Sequence, residues 1–199
     1  MPVQSGQFTS SFASQNYQIC PPGTHAPLLQ SSDSCKPCSP GFFSGVNGTV
    51  ASCSSCPMGT FSNSSHSQSC TPCPAGTFSF QTQLSSVDGC IKCPVGAYSE
   101  EVGQISISSC MGCPAGTFSG MLGSPSRLNC KKCPAGYFSE EPAATSNSTC
   151  LACPAGTSSS TEGANSTMAC KACSQGSYTN RHGMQVCVPC GAGYATSST

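Results

Sequence analysis

The sequence predicts a small disulfide-rich fold: an elongated tandem array of single-disulfide modules, each about 20 residues long, mostly loop with short β-strands. Three observations lead there. Cysteine supplies 19 of the 199 residues, whereas Leu, Ile, Val and Phe together supply only 27. CxxC pairs recur at a near-constant interval, opening at Cys35, Cys53, Cys70, Cys90, Cys110, Cys130, Cys150, Cys170 and Cys187. Behind the second cysteine of each pair, and behind Cys20, Gly stands at the third position, from Gly23 to Gly193.

The apolar content is too small for one shared core, so covalent links must do what burial cannot. Cysteine at this density belongs to oxidising compartments, which points to an extracellular or cell-surface location. Lys plus Arg and Asp plus Glu balance at seven each, leaving no basic face for nucleic acid. No apolar run approaches the ~20 residues of a spanning helix, so membrane insertion by this segment is not expected. The opening MPVQSGQFTSSFASQNYQIC has neither the basic nor the apolar region of a signal peptide. The chain is therefore expected to be a segment of a longer secreted or surface protein.

Taken in order, residues 1–19 read as a degenerate or partial repeat. Gly6 and Phe8 are in place, but Val3 and Tyr17 stand where cysteines are due. The alternative, that this stretch is no repeat at all, stays open. Residues 20–189 read as nine tandem CPxG…CxxC modules, and residues 190–199 as the truncated start of another. Within a module, Pro fixes φ for the second position of a type I turn and Gly at the fourth lets the chain leave, so each CPxG is expected to reverse the backbone. Two residues past the Gly a ring stands in seven of the ten units: Phe43, Phe61, Phe78, Tyr98, Phe118, Phe138 and Tyr178. It is expected to lie over the local disulfide and the next module, being the largest burial available. The stretch from Gly through the ring reads as a short strand and the Ser-rich remainder as loop with a possible returning strand.

The simplest pairing closes each CPxG loop on itself: Cys20–Cys35, Cys38–Cys53, Cys56–Cys70, Cys73–Cys90, Cys93–Cys110, Cys113–Cys130, Cys133–Cys150, Cys153–Cys170 and Cys173–Cys187. Loops of this length stabilise a module by about 3 kcal/mol in the chain-entropy model. Spacing alone does not fix connectivity. Cys190 is left unpaired, its expected partner falling beyond Thr199, so either a longer array or an intermolecular disulfide follows.

The string C-P-x-G-[ST]-[FY]-S, followed by a Ser-rich loop and S-C-x-x-C, resembles the ephrin-receptor-like cysteine-rich repeat of the growth-factor-receptor cysteine-rich superfamily. The resemblance covers about residues 20–190. It implies an extended extracellular array with local pairing, and it brings no kinase activity with it.

Two other chemistries share the CxxC spelling. Four-thiolate zinc sites use similar spacing, but nine pairs cannot be grouped in twos without a remainder. Thioredoxin-like redox motifs sit in a βαβ pattern that is absent here. His25, His66 and His182 occupy unrelated places in their modules and read as exposed loop residues. Ser99-Glu100-Glu101 and Ser139-Glu140-Glu141 repeat at forty residues, read as duplication of a two-module block with the acids on a solvated face. Sequons at Asn47, Asn63, Asn147 and Asn165 fall in the variable part of a loop, as glycosylation would require. No catalytic fingerprint or cofactor motif appears, so an enzyme is not expected. The reading is an extracellular structural or adhesive spacer and interaction segment, its protein or glycan partner unknown. A ligand-binding receptor ectodomain is the second reading, with the ring-less modules at His25 and Ser158 as its candidate sites, and a zinc-binding or redox chain the third.

Overall fold

The computed structural model describes residues 7–9, 17–26, 35–47 and 52–192. The landmarks Val3, Gly6 and Gly193, and Thr49 of the first sequon, lie outside them. Nine disulfides run consecutively along the chain, the first from Cys20 to Cys35 and the other eight, to Cys173–Cys187, each joining the second cysteine of one CxxC to the first of the next. Their Cα–Cα distances of 5.5–5.8 Å are those of an ordinary bridge. Cys190 keeps a free thiol.

The turn behind each cysteine lies one residue later than expected and is of the other type. Thr77 N donates to Pro74 O at 3.1 Å, which places Gly76, not Ala75, at the third turn position with φ +81°. A positive φ there makes the turn type II, and glycine is what that corner needs. The residue after Gly has its own part. The Thr77 hydroxyl donates to the same Pro74 carbonyl at 2.7 Å, as Thr24, Thr60, Thr117 and Thr157 do to Pro21, Pro57, Pro114 and Pro154. This second bond accounts for threonine in CPAGT.

From the turn, two residues run as a strand and pair antiparallel with the two residues inside the next CxxC. Thr77–Phe78 meets Ile91–Lys92 in this way, and Tyr137–Phe138 meets Leu151–Ala152. The returning strand is thus the CxxC dipeptide itself, not part of the Ser-rich loop. In five modules that loop instead ends in a 3-10 turn: Val87–Gly89, Ile107–Ser109, Arg127–Asn129, Asn147–Thr149 and Thr167–Ala169. Ser86, Ser106, Ser126 and Ser166 cap four of them by accepting from the amide two residues on. At the start, Gln7–Thr9 pairs with Tyr17–Ile19, Phe8 opposite Gln18. Phe78 faces Ile91 in the same way, so Tyr17 stands where a closing cysteine stands elsewhere.

The chain divides into two units. The first comprises Met1–Lys92 with Glu101–Ser109, the second Cys93–Glu100 with Cys110–Thr199. Inside each, consecutive modules are stitched by backbone. In the first unit Gln83 N donates to Cys56 O at 2.9 Å, and Gly59 N to Ser79 O at 2.9 Å. In the second, Gly163 N donates to Cys133 O at 2.8 Å, Gly116 N to Ser139 O at 2.7 Å, and Ser119 N to Ala144 O at 3.0 Å. A parallel bridge such as Phe118↔Ala144 or Phe61↔Leu84 completes five of the joints among the described residues. These bonds satisfy backbone groups that so short a pair of strands leaves open.

The interior is mainly sulfur, hydroxyl and backbone, joined by a few rings and small apolar side chains. Cys20 and the second cysteines of seven CxxC pairs, Cys38, Cys56, Cys73, Cys93, Cys113, Cys133 and Cys153, are fully buried. The serine after the ring position is buried as well, from Ser44 through Ser159, with Thr179 in the same place. That position tolerates only a small side chain because the next module's backbone passes directly over it, as Ser79 N on Gln104 O at 2.9 Å shows. Rings are buried at Phe61, Phe78 and Tyr98, half-buried at Phe43, Phe118 and Phe138, and exposed at Tyr178. Where they cluster, they cover the following module's bond: Phe61 packs with Cys73, Cys90 and Leu84, and Tyr98 with Cys113 and Cys130.

Candidate interaction surface

The two ring-less modules close by polar contacts to the same target. His25 Nδ1 lies 3.4 Å from Sγ of Cys53, and the Ser158 hydroxyl 3.2 Å from Sγ of Cys187. Both sulfurs are bonded and carry no proton, so the imidazole N–H and the serine O–H are the donors. His25 is therefore a half-buried packing residue rather than an exposed loop histidine.

His66 has a different task. It is one of seven residues at equivalent loop positions with positive φ, the others being Gln83, Gly103, Gly123, Ala143, Gly163 and Gly183. Each donates its amide to the first cysteine carbonyl of the preceding module, His66 to Cys38 at 3.2 Å and Gly183 to Cys153 at 2.9 Å. The same corner presses back on the turn glycine two modules earlier. A Cβ on Gly41 would strike the Gln83 carbonyl, one on Gly116 the Gly163 carbonyl, and one on Gly136 the Gly183 carbonyl. Within a unit, these modules thus meet both the neighbour and the module beyond. The glycines at 103, 123, 163 and 183 stand at multiples of twenty residues, a sequence signal of this corner separate from CPxG.

The repeated acids are not simply a solvated face. Glu100 Oε1 accepts from Arg127 N at 2.9 Å and from the Ser126 hydroxyl at 3.2 Å, at the start of the next module's 3-10 turn. Glu140 Oε1 accepts from Thr167 N at 3.0 Å in the same manner. These carboxylates satisfy amides that a short helical turn leaves open at its start.

Among the described residues no group of three or more His, Cys, Asp or Glu is placed to hold a metal ion. Eighteen cysteines are committed to disulfides, and a bonded sulfur is not the thiolate that zinc or redox exchange requires. No helix among them is long and apolar enough to cross a membrane.

Residues 41–88, 82–130 and 106–150 each match the family described as tyrosine-protein kinase ephrin type A/B receptor-like. The matches overlap and together span residues 41–150, more than half of the chain. This chain belongs to the ephrin-receptor-like repeat family. No curated protein matches it. Ephrin-receptor-like repeats are a non-catalytic extracellular module type, and they place this chain in a receptor-like, cysteine-rich extracellular or cell-surface setting.

On these ephrin-receptor-like modules the sequon residues Asn47, Asn63, Asn147 and Asn165 are all exposed. In the second unit an open groove runs past Ser158, Asn165, Met168 and Val186, another past Phe118, Met121, Leu128 and Asn147, and a third past Arg127, Lys131, Lys132 and Glu162. All three are open surface features lined by both polar and apolar side chains.

Proposed function

We propose that this chain is a structural or adhesive segment of an extracellular protein, acting as spacer and as interaction surface. The observation that carries the reading is the continuity of the joints: within each unit, turn, corner and post-ring serine repeat the same backbone bonds from module to module. Such a device holds many similar surfaces in sequence and favours none of them. Stability in arrays of this kind is close to a sum over modules and their interfaces. Removing residues 93–132, two whole modules in register, should leave a chain that is still secreted with its remaining disulfides. Binding of the shortened chain to cell surfaces or matrix-coated beads should fall in proportion to the length lost. Complete loss of binding on removing one two-module block, with folding intact, would replace this reading by the next.

That second reading is a ligand-binding receptor ectodomain. It is favoured by one observation: Ser158, which lacks the ring, lines an open groove with Met168 and Val186. A Ser158→Tyr change fills that space and should abolish binding if this groove is a ligand's seat.

A further inference from the structure

Two grooves of the second unit have a sequon asparagine among their lining residues. One, of about 660 Å³, holds Phe118, Met121, Leu128, Lys131 and Asn147; the other, of about 700 Å³, holds Ser158, Met168, Lys171, Val186 and Asn165. Both volumes fall in the span of about 300–1,000 Å³ usual for ligand clefts. Leu128 and Met168 are the most exposed large apolar side chains of the described residues, at 92% and 76%. Singly exposed apolar residues are ordinary. Here, however, each shares its groove with a second exposed one, Met121 at 49% or Val186 at 63%, and with a sequon. Asn147 and Asn165 occupy different places in their modules, one inside a 3-10 turn and one just before it, so the coincidence is not a copy of one local motif. Both asparagines are exposed and free of hydrogen bonds from their side-chain amides among the described residues.

We propose that Asn147 and Asn165 carry N-linked glycans whose first sugars lie in these grooves. The C–H faces of the pyranose rings cover Met121 and Leu128 in one groove, and Met168 and Val186 in the other. Lys131 and Lys171, equivalent residues of their modules, donate to sugar hydroxyls at the groove floors. In the attachment step an oligosaccharide moves from a lipid-linked pyrophosphate donor. The C1–O bond to pyrophosphate breaks, a bond from C1 to the asparagine Nδ2 forms, and the amide proton leaves with the lipid pyrophosphate. The glycan so placed removes apolar surface from water at two points where the thin modules cannot bury it themselves.

This inference rests on the extracellular reading, because the donor belongs to the secretory route. The 199-residue chain, secreted from glycosylating cells behind an added leader, is read for sequon occupancy by glycopeptide mass. Methionine oxidation by dilute peroxide is then followed residue by residue, before and after enzymatic release of glycans from the folded chain. Met111, 50% exposed and lining neither groove, is the internal reference. With glycans attached, Met121 and Met168 should oxidise several-fold more slowly than Met111, and at comparable rates after release. Thr149→Ala and Thr167→Ala remove the two sequons one at a time and should each unmask only its own methionine. Empty sequons overturn the modification, and occupied sequons with methionine rates unchanged by release overturn the seating in the grooves. Disulfide mapping of the same sample separates the two readings: nine closed loops with empty sequons leave the extracellular reading standing while this inference falls.

Discussion

The amide of Ala143 donates to the carbonyl of Cys113 at 2.8 Å, thirty residues back along the chain, and to do so Ala143 holds φ at +55°. Four of the seven residues at this corner are glycine, and the other three hold the same strained geometry without glycine's freedom. A left-handed backbone costs a residue with a β-carbon about 1–2 kcal/mol, whereas glycine gives back about 0.5–1 kcal/mol through the entropy of the unfolded chain. Ala143→Gly and Gln83→Gly should each therefore raise stability by some tenths to about 1 kcal/mol. Thermal unfolding of the oxidised chain checks this, and a lowered midpoint for both variants would sink it.

Gly116 and Gly156 have the same φ of +82° but different surroundings. A Cβ on Gly116 runs into the Gly163 backbone, while none of the described residues lies within 4 Å of one on Gly156. Gly156→Ala should lose only the conformational part, about 1–2 kcal/mol. Gly116→Ala should lose distinctly more, and its hydrogen-exchange protection should fall at Gly163 as well as at the turn. Equal losses in the two variants would mean that the contact between modules two apart contributes nothing.

Glu100→Ala and Glu140→Ala test the acids as caps. The amides of Arg127 and Thr167 should exchange faster in the respective variants, each in the module after the substitution, while global unfolding shifts little because both groups are exposed. Exchange confined to the substituted module would return the acids to a merely solvated face.

The double change Cys73→Ser/Cys90→Ser opens one loop, for a loss of about 3 kcal/mol. The damage should also reach backward. Phe61 of the preceding module rests on this bond, so its ring environment should loosen while modules further away keep theirs. Non-reducing peptide mapping should find the other eight bridges unchanged. Scrambled pairing across the whole chain would show that the modules do not form independently.

Much of the fold could be read from the sequence because its period is written in cysteine and glycine, residues with few alternative uses at such density. The strand through GTFS and the ring at its end followed from the same local chemistry. The turn type did not, because C-P-x-G is compatible with two frames differing by one residue. Only the second lets threonine reach the proline carbonyl, as Thr77 does with Pro74. The caps at Glu100 and Glu140 were hidden for another reason. Each carboxylate meets an amide 27 residues ahead, and that distance depends on how one module seats on the next. The burial of Ser79 and its equivalents was invisible for the same cause, since a serine shows no sign of being covered until the covering strand is in place.

The local closing of every loop also governs how the chain answers a pull on its ends. Tension enters a module at one cysteine and leaves through the bridge, 5.5–5.8 Å away, without passing through the loop. Only the three residue steps of each CxxC, at up to about 3.6 Å apiece, can then lengthen. An oxidised module so reaches no further than about 16 Å, against about 70 Å for twenty residues drawn straight after reduction. From Cys20 to Cys187 the greatest span the chain can reach is thus set by the redox state of its sulfurs rather than by the strength of its fold.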